Sequence, residues 1–270
     1  MLDYHSENVT LLYGDCLERM KEVEDRSVEL ILCDLPYGTT SCAWDSVIDI
    51  EAMWSQYKRI VTDKGAIVLT AAQPFTSVLA VSNLPWFKYE WIWVKNRPTN
   101  FAHAKNKPMK KHENILVFSP GTTVHAIQSK TRMTYNPQGV FDIASKKVTK
   151  RASEKTDAFF ADRPGHGEFE RKQSGFPHSL LEYSTDQLGL HPTAKPIDLF
   201  RYLVRTYSHE GERVMDNCLG SGTTGIAAVM ENRRFVGMER DEKYFNMSRD
   251  RILAATATAD DEPNFNPLID

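Results

Sequence analysis

The 270-residue sequence has four cysteines, Cys16, Cys33, Cys42 and Cys218, and no two of them form a Cys-x-x-Cys pair. That spacing suggests neither a zinc site nor a disulfide framework, so the expectation is four reduced, mostly structural thiols and no bound metal. No run of 18 apolar residues occurs, and the opening MLDYHSENVT has neither the basic region nor the apolar stretch of a secretory signal. The expected location is the cytoplasm, with no membrane partner. An overall basic excess is missing too: 33 Lys and Arg stand against 36 Asp and Glu, a net charge of −3, so any attraction for a polyanion must be local. The glycine-rich stretch GSGTTG has no Lys after its glycines, which argues against a P-loop nucleotidase.

What is present is a 41% hydrophobic chain with enough apolar material for a core. Short apolar runs rich in β-branched or aromatic residues read as buried strands at 28–33, 65–71, 89–94, 114–119, 213–218 and 234–239. Helical patterns lie between several of them, at 49–61, 196–208 and 223–233. This alternation predicts an α/β fold, a mixed and mainly parallel sheet with helices on both faces. The aromatic strands near 90 and 115 are expected to form its antiparallel edge. Residues 120–190 break the rhythm with Gly, Pro, Ser, Thr, Lys and His, and read as an inserted, substrate-facing region. The acidic tail 259–270, with two prolines, reads as flexible.

The stretch VMDNCLGSGTTGIAAVM, 214–230, is a strand, a tight turn and a helix start. A sharp turn that a ligand must approach closely requires Gly220 and Gly222, and Thr223 and Thr224 are placed to cap the helix. Nineteen residues after Gly220 a second strand ends on Glu239, where an acid can accept both hydroxyl hydrogens of a ribose. The pair predicts nucleoside binding. It does not separate a nicotinamide dinucleotide from S-adenosylmethionine.

Three segments decide between them. DLPY (34–37) after a strand, HPTAKP (191–196) before a helix, and DNCLGSGTTG followed by GMERDEKY resemble the β class of DNA amino-methyltransferases, in which the catalytic motif comes first, target recognition in the middle and the cofactor motif last. The resemblance implies a Rossmann-like S-adenosylmethionine-dependent methyltransferase fold: residues 1–119 its catalytic half, 120–190 an inserted target-recognition region, 191–258 its cofactor-binding half. It also implies that Asp34, Asp216, Gly220, Gly222, Thr223, Thr224 and Glu239 line the S-adenosylmethionine pocket, and that Asp15 and Cys16 of YGDCLERM close on the adenine. Thr193 and Lys195 would approach the cofactor's methionine end.

By the same resemblance the catalytic group is Asp34, Leu35, Pro36 and Tyr37. The exocyclic nitrogen of adenine or cytosine is a poor nucleophile because its lone pair is delocalised into the ring. Acceptors on its two hydrogens, the Asp34 carboxylate and the Leu35 carbonyl, would turn that lone pair towards an electrophilic methyl group. Tyr37 would stack on a base flipped out of the duplex. Leu35 stands where the family usually has proline, and Pro36 still biases it towards an extended backbone. The acid at 34 favours N6 of adenine over N4 of cytosine, the second reading on the same fold; a nicotinamide-dependent oxidoreductase and a DNA-binding module with a dead pocket are more remote. The partner is double-stranded DNA. Its expected phosphate contacts are two basic clusters: Lys95, Arg97, Lys105, Lys107, Lys110 and Lys111, in a stretch without any acid, and Lys146, Lys147, Lys150 and Arg151. A homodimer and a cognate restriction endonuclease are left open as protein partners.

Overall fold

The structure is a computed structural model describing residues 2–36, 48–124, 130–148, 169–185 and 195–261. Leu30 and Leu32 of strand β3 (Val28–Asp34) pack into one core cluster, and Ile31 and Cys33 into another, because alternate side chains of a strand leave on opposite faces. Strand β4 (Val61–Ala71) repeats this with Ala66 and Val68 against Ile67 and Leu69. Both faces of the sheet centre therefore demand cover. Met53, Trp54, Tyr57 and Ile60 of helix α2 (Ile50–Ile60), with Phe75 and Leu79 of α3 (Phe75–Ser82), supply it on one side. Leu199 and Leu203 of α4 (Ile197–Tyr207), Ile226 of α5 (Thr223–Met230) and Phe245 and Ile252 of α6 (Glu242–Asp261) supply it on the other. Asp49 starts α2 by accepting hydrogen bonds from the backbone of Glu51 and Ala52, satisfying donors that have no partner inside the helix.

The other strands of the main sheet are β1 (Tyr4–His5), β2 (Val9–Tyr13), β5 (Phe87–Thr99), β6 (Lys110–Phe118), β9 (Leu180–Tyr183), β10 (Arg213–Asp216) and β11 (Arg234–Glu239). Among the described residues the sheet has nine strands in the order β1-β2-β11-β10-β3-β4-β6-β5-β9. From β2 to β4 all neighbours are parallel; β6 runs antiparallel to β4 and to β5. The architecture is the expected mixed α/β sheet with helices on both faces. One detail differs from expectation: the aromatic strand β5 is not the edge, because β9 pairs with it in parallel, Ile92 opposite Leu180 and Lys95 opposite Tyr183, and buries Leu181. At four residues β9 has too few apolar positions to stand out in the sequence.

Strand β3 connects rightwards to β4 through α2, whereas β10 connects leftwards to β11 through α5. The chain thus reverses its direction of travel between β3 and β10, and their carboxyl ends open a crevice at the topological switch point. Asp34 ends one of these strands and Asp216 the other.

A second compact unit, 137–178, contains β7 (Phe141–Val148) and β8 (Phe169–Ser174), which pair antiparallel. It is narrower than the 120–190 stretch singled out by composition, since residues 121–124 and 130–136 and strand β9 belong to the main unit. Among the described residues no helix is long and apolar enough to cross a membrane.

Candidate functional site

The glycine turn is built outward from Asp216. This carboxyl is 3% exposed, accepts the Cys218 backbone N–H at 2.9 Å, and burial pushes its pKa up to about 6 against the hydrogen bonds it receives. Leu219 N donates to Met238 O at 2.9 Å, tying the turn to β11. Gly220 (φ +49°) and Gly222 (φ +80°) then take left-handed backbone. The two glycines do different work. A side chain at Gly222 would stand 3.0 Å from Ser248 Cβ on α6, whereas one at Gly220 would meet nothing closer than the Cys218 carbonyl at 3.8 Å. Gly225, third in the G-x-G-x-x-G spacing, is filled by Ile252 and Phe235 and serves helix packing. Only Gly220 presents open backbone to a ligand.

Glu239 holds that backbone in place. Its Oε2 accepts the Gly220 N–H and its Oε1 the Asp241 N–H, both at 2.9 Å, and its main-chain oxygen accepts Gly14 N at 2.9 Å. Each carboxylate oxygen keeps a second lone pair for a ligand. The Gly14 contact brings in Asp15, whose Oδ1 caps α1 (Cys16–Arg19) through Leu17 N. Cys16 meets Cys218, and Cys218 meets Cys33, so three thiols that are remote in sequence gather under the turn. Burial raises Cys33 to about 12, and the bond to Cys218 followed by burial raises Cys16. Tyr57, on α2, donates to Asn217 Oδ1 at 2.5 Å and anchors the turn from below.

Thr223 and Thr224 do not cap α5 as expected; no side chain does. Thr224 Oγ1 instead donates to the Leu32 carbonyl at 3.3 Å and also bonds Asp216, and Thr223 shares a hydrogen bond with Ser221 at 3.1 Å. Both side chains are buried where α5 packs on β10 and β11, between α4 and α6.

Across the crevice Asp34 is gripped on both oxygens. Thr70 Oγ1, on the neighbouring strand β4, donates to Oδ1, and Lys195 Nζ, arriving just before α4, donates to Oδ2 at 2.6 Å. Lys195 lies within 3.6 Å of Glu113, and Glu113 accepts Lys95 Nζ at 2.5 Å. Lys95 in turn stands 4.8 Å over the Trp93 ring. Burial pulls the Lys195 pKa down, but Asp34 and Glu113 overcome this and the net direction is up, so the side chain stays a cation at 8% exposure. Leu35 is buried in the α2-side core, which fixes the turn where the family's first proline is missing.

Of the residues singled out by sequence, Asp15, Cys16, Asp34, Asp216, Gly220 and Glu239 converge at the carboxyl edge of the sheet. Lys195 also arrives there, on Asp34. Tyr37 and Thr193 lie outside the described residues, as do Lys150 and Arg151; Lys146 and Lys147 sit on β7, opposite Arg171 and Glu170. Lys95 is a correction: its side chain is 11% exposed and paired with Glu113, so it is not free to contact a phosphate. Arg97, Lys105, Lys107 and Lys111 are exposed, and burial lowers the pKa of half-buried Lys110. Sequence reading missed Thr70 and Glu113. The one available signal was polarity out of place: Thr70 interrupts GAIVLTA and Glu113 precedes an otherwise apolar strand half.

A family model described as DNA methylase matches residues 28–250. The chain is 24% identical over 269 residues to the DNA adenine methyltransferase YhdJ of Escherichia coli (strain K12), covering 94% of this chain and 85% of that one. It is 25% identical over 275 residues to the type II methyltransferase M.HinfI of Haemophilus influenzae, covering 90% of this chain and 68% of the relative. Among solved structures, the M1.HpyAVI–SAM complex aligns with a TM-score of 0.58 at 20% identity, over 90% of this chain and 99% of that one. The cytosine-N4-specific PvuII DNA methyltransferase aligns with a TM-score of 0.64 at 14% identity, over 95% and 93%. At these identities the structural likeness speaks for the fold.

Proposed function

The chain belongs to the DNA methylase family, and on that premise we propose that it transfers a methyl group from S-adenosylmethionine to N6 of an adenine flipped out of double-stranded DNA. The observation that carries this reading is the placement of Asp34 at the switch-point crevice, across from the Gly220 turn and engaged on both oxygens by Thr70 and Lys195. The open side of Gly220, with the two acceptor oxygens of Glu239 beside it, fits a nucleoside and supports S-adenosylmethionine as the cofactor. Glu239 and Gly220 would hold its ribose side, with Asp15, Cys16 and Asp216 beside them. When bound, the cofactor supplies a methyl group made electrophilic by sulfonium.

The protein's own contribution is orientation. Thr70 and Lys195 each take one lone pair of Asp34, so the carboxylate cannot rotate and its remaining lone pairs keep a fixed direction. One of them accepts a hydrogen of the target amine, the Leu35 carbonyl accepts the other, and the nitrogen lone pair is left to face the methyl group. After transfer the amine nitrogen carries a positive charge until it loses a proton, and Asp34 is the adjacent anion that stabilises this developing charge. The target-recognition role falls to the 120–190 region, with Tyr37 stacking on the base.

Adenine is favoured by the acid at 34 and by the activity named for the Escherichia coli relative; N4 of cytosine is the second reading on the same scaffold. Expression in a methylation-deficient host, followed by sequencing of a resident plasmid with modified-base detection, separates them. N6-methyladenine at one sequence motif is the expected result. N4-methylcytosine moves the target to cytosine, and an unmodified plasmid from cells containing folded enzyme defeats both.

A further inference from the structure

We infer that Phe101 is a wedge that enters the DNA stack when the target base leaves it. The inference rests on the methyltransferase reading and adds to it a residue outside the pocket.

Strand register fixes where this residue stands. Asp34 pairs with Thr70, Thr70 with Ile115 and Ile115 with Trp91, so these four lie at one level of the sheet. From that level β6 continues outward five residues to Lys110 and β5 eight residues to Thr99, which pair with each other after a register shift in β5 between Val94 and Thr99. At ~3.3 Å per residue the tip of this hairpin leads the catalytic level by ~16 Å, on the edge where the crevice opens. A duplex presented to Asp34 therefore meets the tip.

The tip is ordered. Asn100 takes left-handed backbone at φ +69°, a 3-10 turn spans Phe101–His103, and Ala104 N donates to Phe101 O and Lys107 N to His103 O, both at 3.0 Å. On this turn Phe101 is 82% exposed, the most exposed large apolar side chain among the described residues. Arg97, Lys105, Lys107 and Lys111 surround it in sequence, all exposed, with no acid between Lys95 and His112. A lone aromatic ring among cations is a poor seat for a protein partner's apolar face and a good one for a nucleic acid, whose phosphates take the cations while its bases stack on the ring. Base flipping leaves a gap in the stack and costs unstacking energy, which an inserted ring partly restores.

The test uses two duplexes carrying the sequence methylated in the plasmid experiment: one with the target base intact, for methyl transfer, and one with 2-aminopurine in its place, which has no amine at C6 and reports only flipping by its fluorescence. Phe101→Ala should lower the flipped population and single-turnover methyl transfer at least tenfold, with the salt dependence of binding unchanged. Phe101→Trp should restore both, and a mismatch opposite the target, which makes flipping easier, should rescue Phe101→Ala to within threefold of wild type. Wild-type flipping by Phe101→Ala, or equal loss on paired and mismatched DNA, overturns the wedge alone. A shift of the free enzyme from dimer to monomer in sedimentation also overturns it, by making the tip a contact between copies. A wild-type enzyme that transfers no methyl group to the duplex with the intact target base overturns the function, and the wedge with it.

Discussion

Replacing Lys195 by Met removes the cation between Asp34 and Glu113 while keeping most of the side-chain volume. In the wild type, Lys195 Nζ lies 2.6 Å from Asp34 and 3.6 Å from Glu113, and its side chain is 8% exposed. Removing one partner of a fully buried ion pair typically costs about 3–5 kcal/mol, because a desolvated charge is left uncompensated. Two features reduce that figure here. The Asp34 side chain is 27% exposed and keeps its bond from Thr70, and Glu113 keeps Lys95 at 2.5 Å. A loss of about 2 kcal/mol is therefore expected near pH 8. The pKa of Lys195 is raised above its ordinary value, so its stabilisation is fully present throughout the neutral range and is lost only as pH rises through that higher value. In the variant Asp34 loses its cation and keeps only the bond from Thr70, while Glu113 retains Lys95. Methyl transfer should fall at least about a hundredfold, roughly 3 kcal/mol of transition-state stabilisation, since Asp34 loses the bond that fixes its direction. Urea unfolding at several pH values and single-turnover transfer from labelled S-adenosylmethionine measure both effects. A variant within about 0.5 kcal/mol of wild type that transfers methyl groups at the wild-type rate would show that the ion pair neither stabilises the site nor orients Asp34.

Glu239→Ala should weaken S-adenosylmethionine binding by roughly one to two orders of magnitude in calorimetry, as expected when charge-assisted hydrogen bonds are removed; unchanged affinity removes Glu239 from the site. Burial raises Asp216 to about 6, so its share of stability is fully present below the ordinary carboxyl range and is lost as pH rises towards 6. Asp216→Asn should accordingly be more stable than wild type at pH 7.5 and lose that advantage near pH 4; a variant less stable at both values refutes the assignment. Neutralising Arg97, Lys105, Lys107 and Lys111 should flatten the salt dependence of DNA binding by up to about 0.9 units of slope for each phosphate left without its cation. Lys95→Met should leave that slope alone and lower stability instead, and a flattened slope for Lys95→Met would mean that its pairing with Glu113 opens on DNA.

The alternation of apolar runs and helical patterns carried the sheet because the central strands are buried on both faces and read as predominantly apolar segments. Strands β2 and β9 escaped notice because five and four residues give too short a run, and helix α6 because a charged, weakly amphipathic pattern hides the Phe245 and Ile252 that dock it. The glycine turn was legible in position, yet not in its division of labour: nothing local distinguishes Gly220, which faces open space, from Gly222 and Gly225, which face side chains of α6. The charged chain behind Asp34 was illegible for a different reason. Lys195 and Asp34 are 161 residues apart, and an ion pair formed across strands leaves no periodic trace in either segment. Lys95 shows the same limit from the other side, since five neighbouring cations made it look solvated when its side chain is largely covered and paired with Glu113.

Charge balance accounts for why Lys95 cannot join those neighbours. Asp34 and Glu113 place two negative charges at one end of the sheet, partly desolvated, and a single Lys195 between them would leave the group with a net charge where water cannot screen it. Lys95 completes a two-and-two arrangement that is neutral overall but strongly oriented. Neutrality keeps the resting site stable; orientation leaves an anionic oxygen of Asp34 facing the crevice, where the amine nitrogen becomes positive in the reaction we propose. This is possible at the base of the β5–β6 hairpin because β6 passes from solvent into the sheet between exposed Lys111 and buried Glu113, which are separated by one residue. Exchanging Glu113 for Gln should therefore disturb methyl transfer without changing salt-dependent DNA binding, whereas charge changes at the tip should do the reverse.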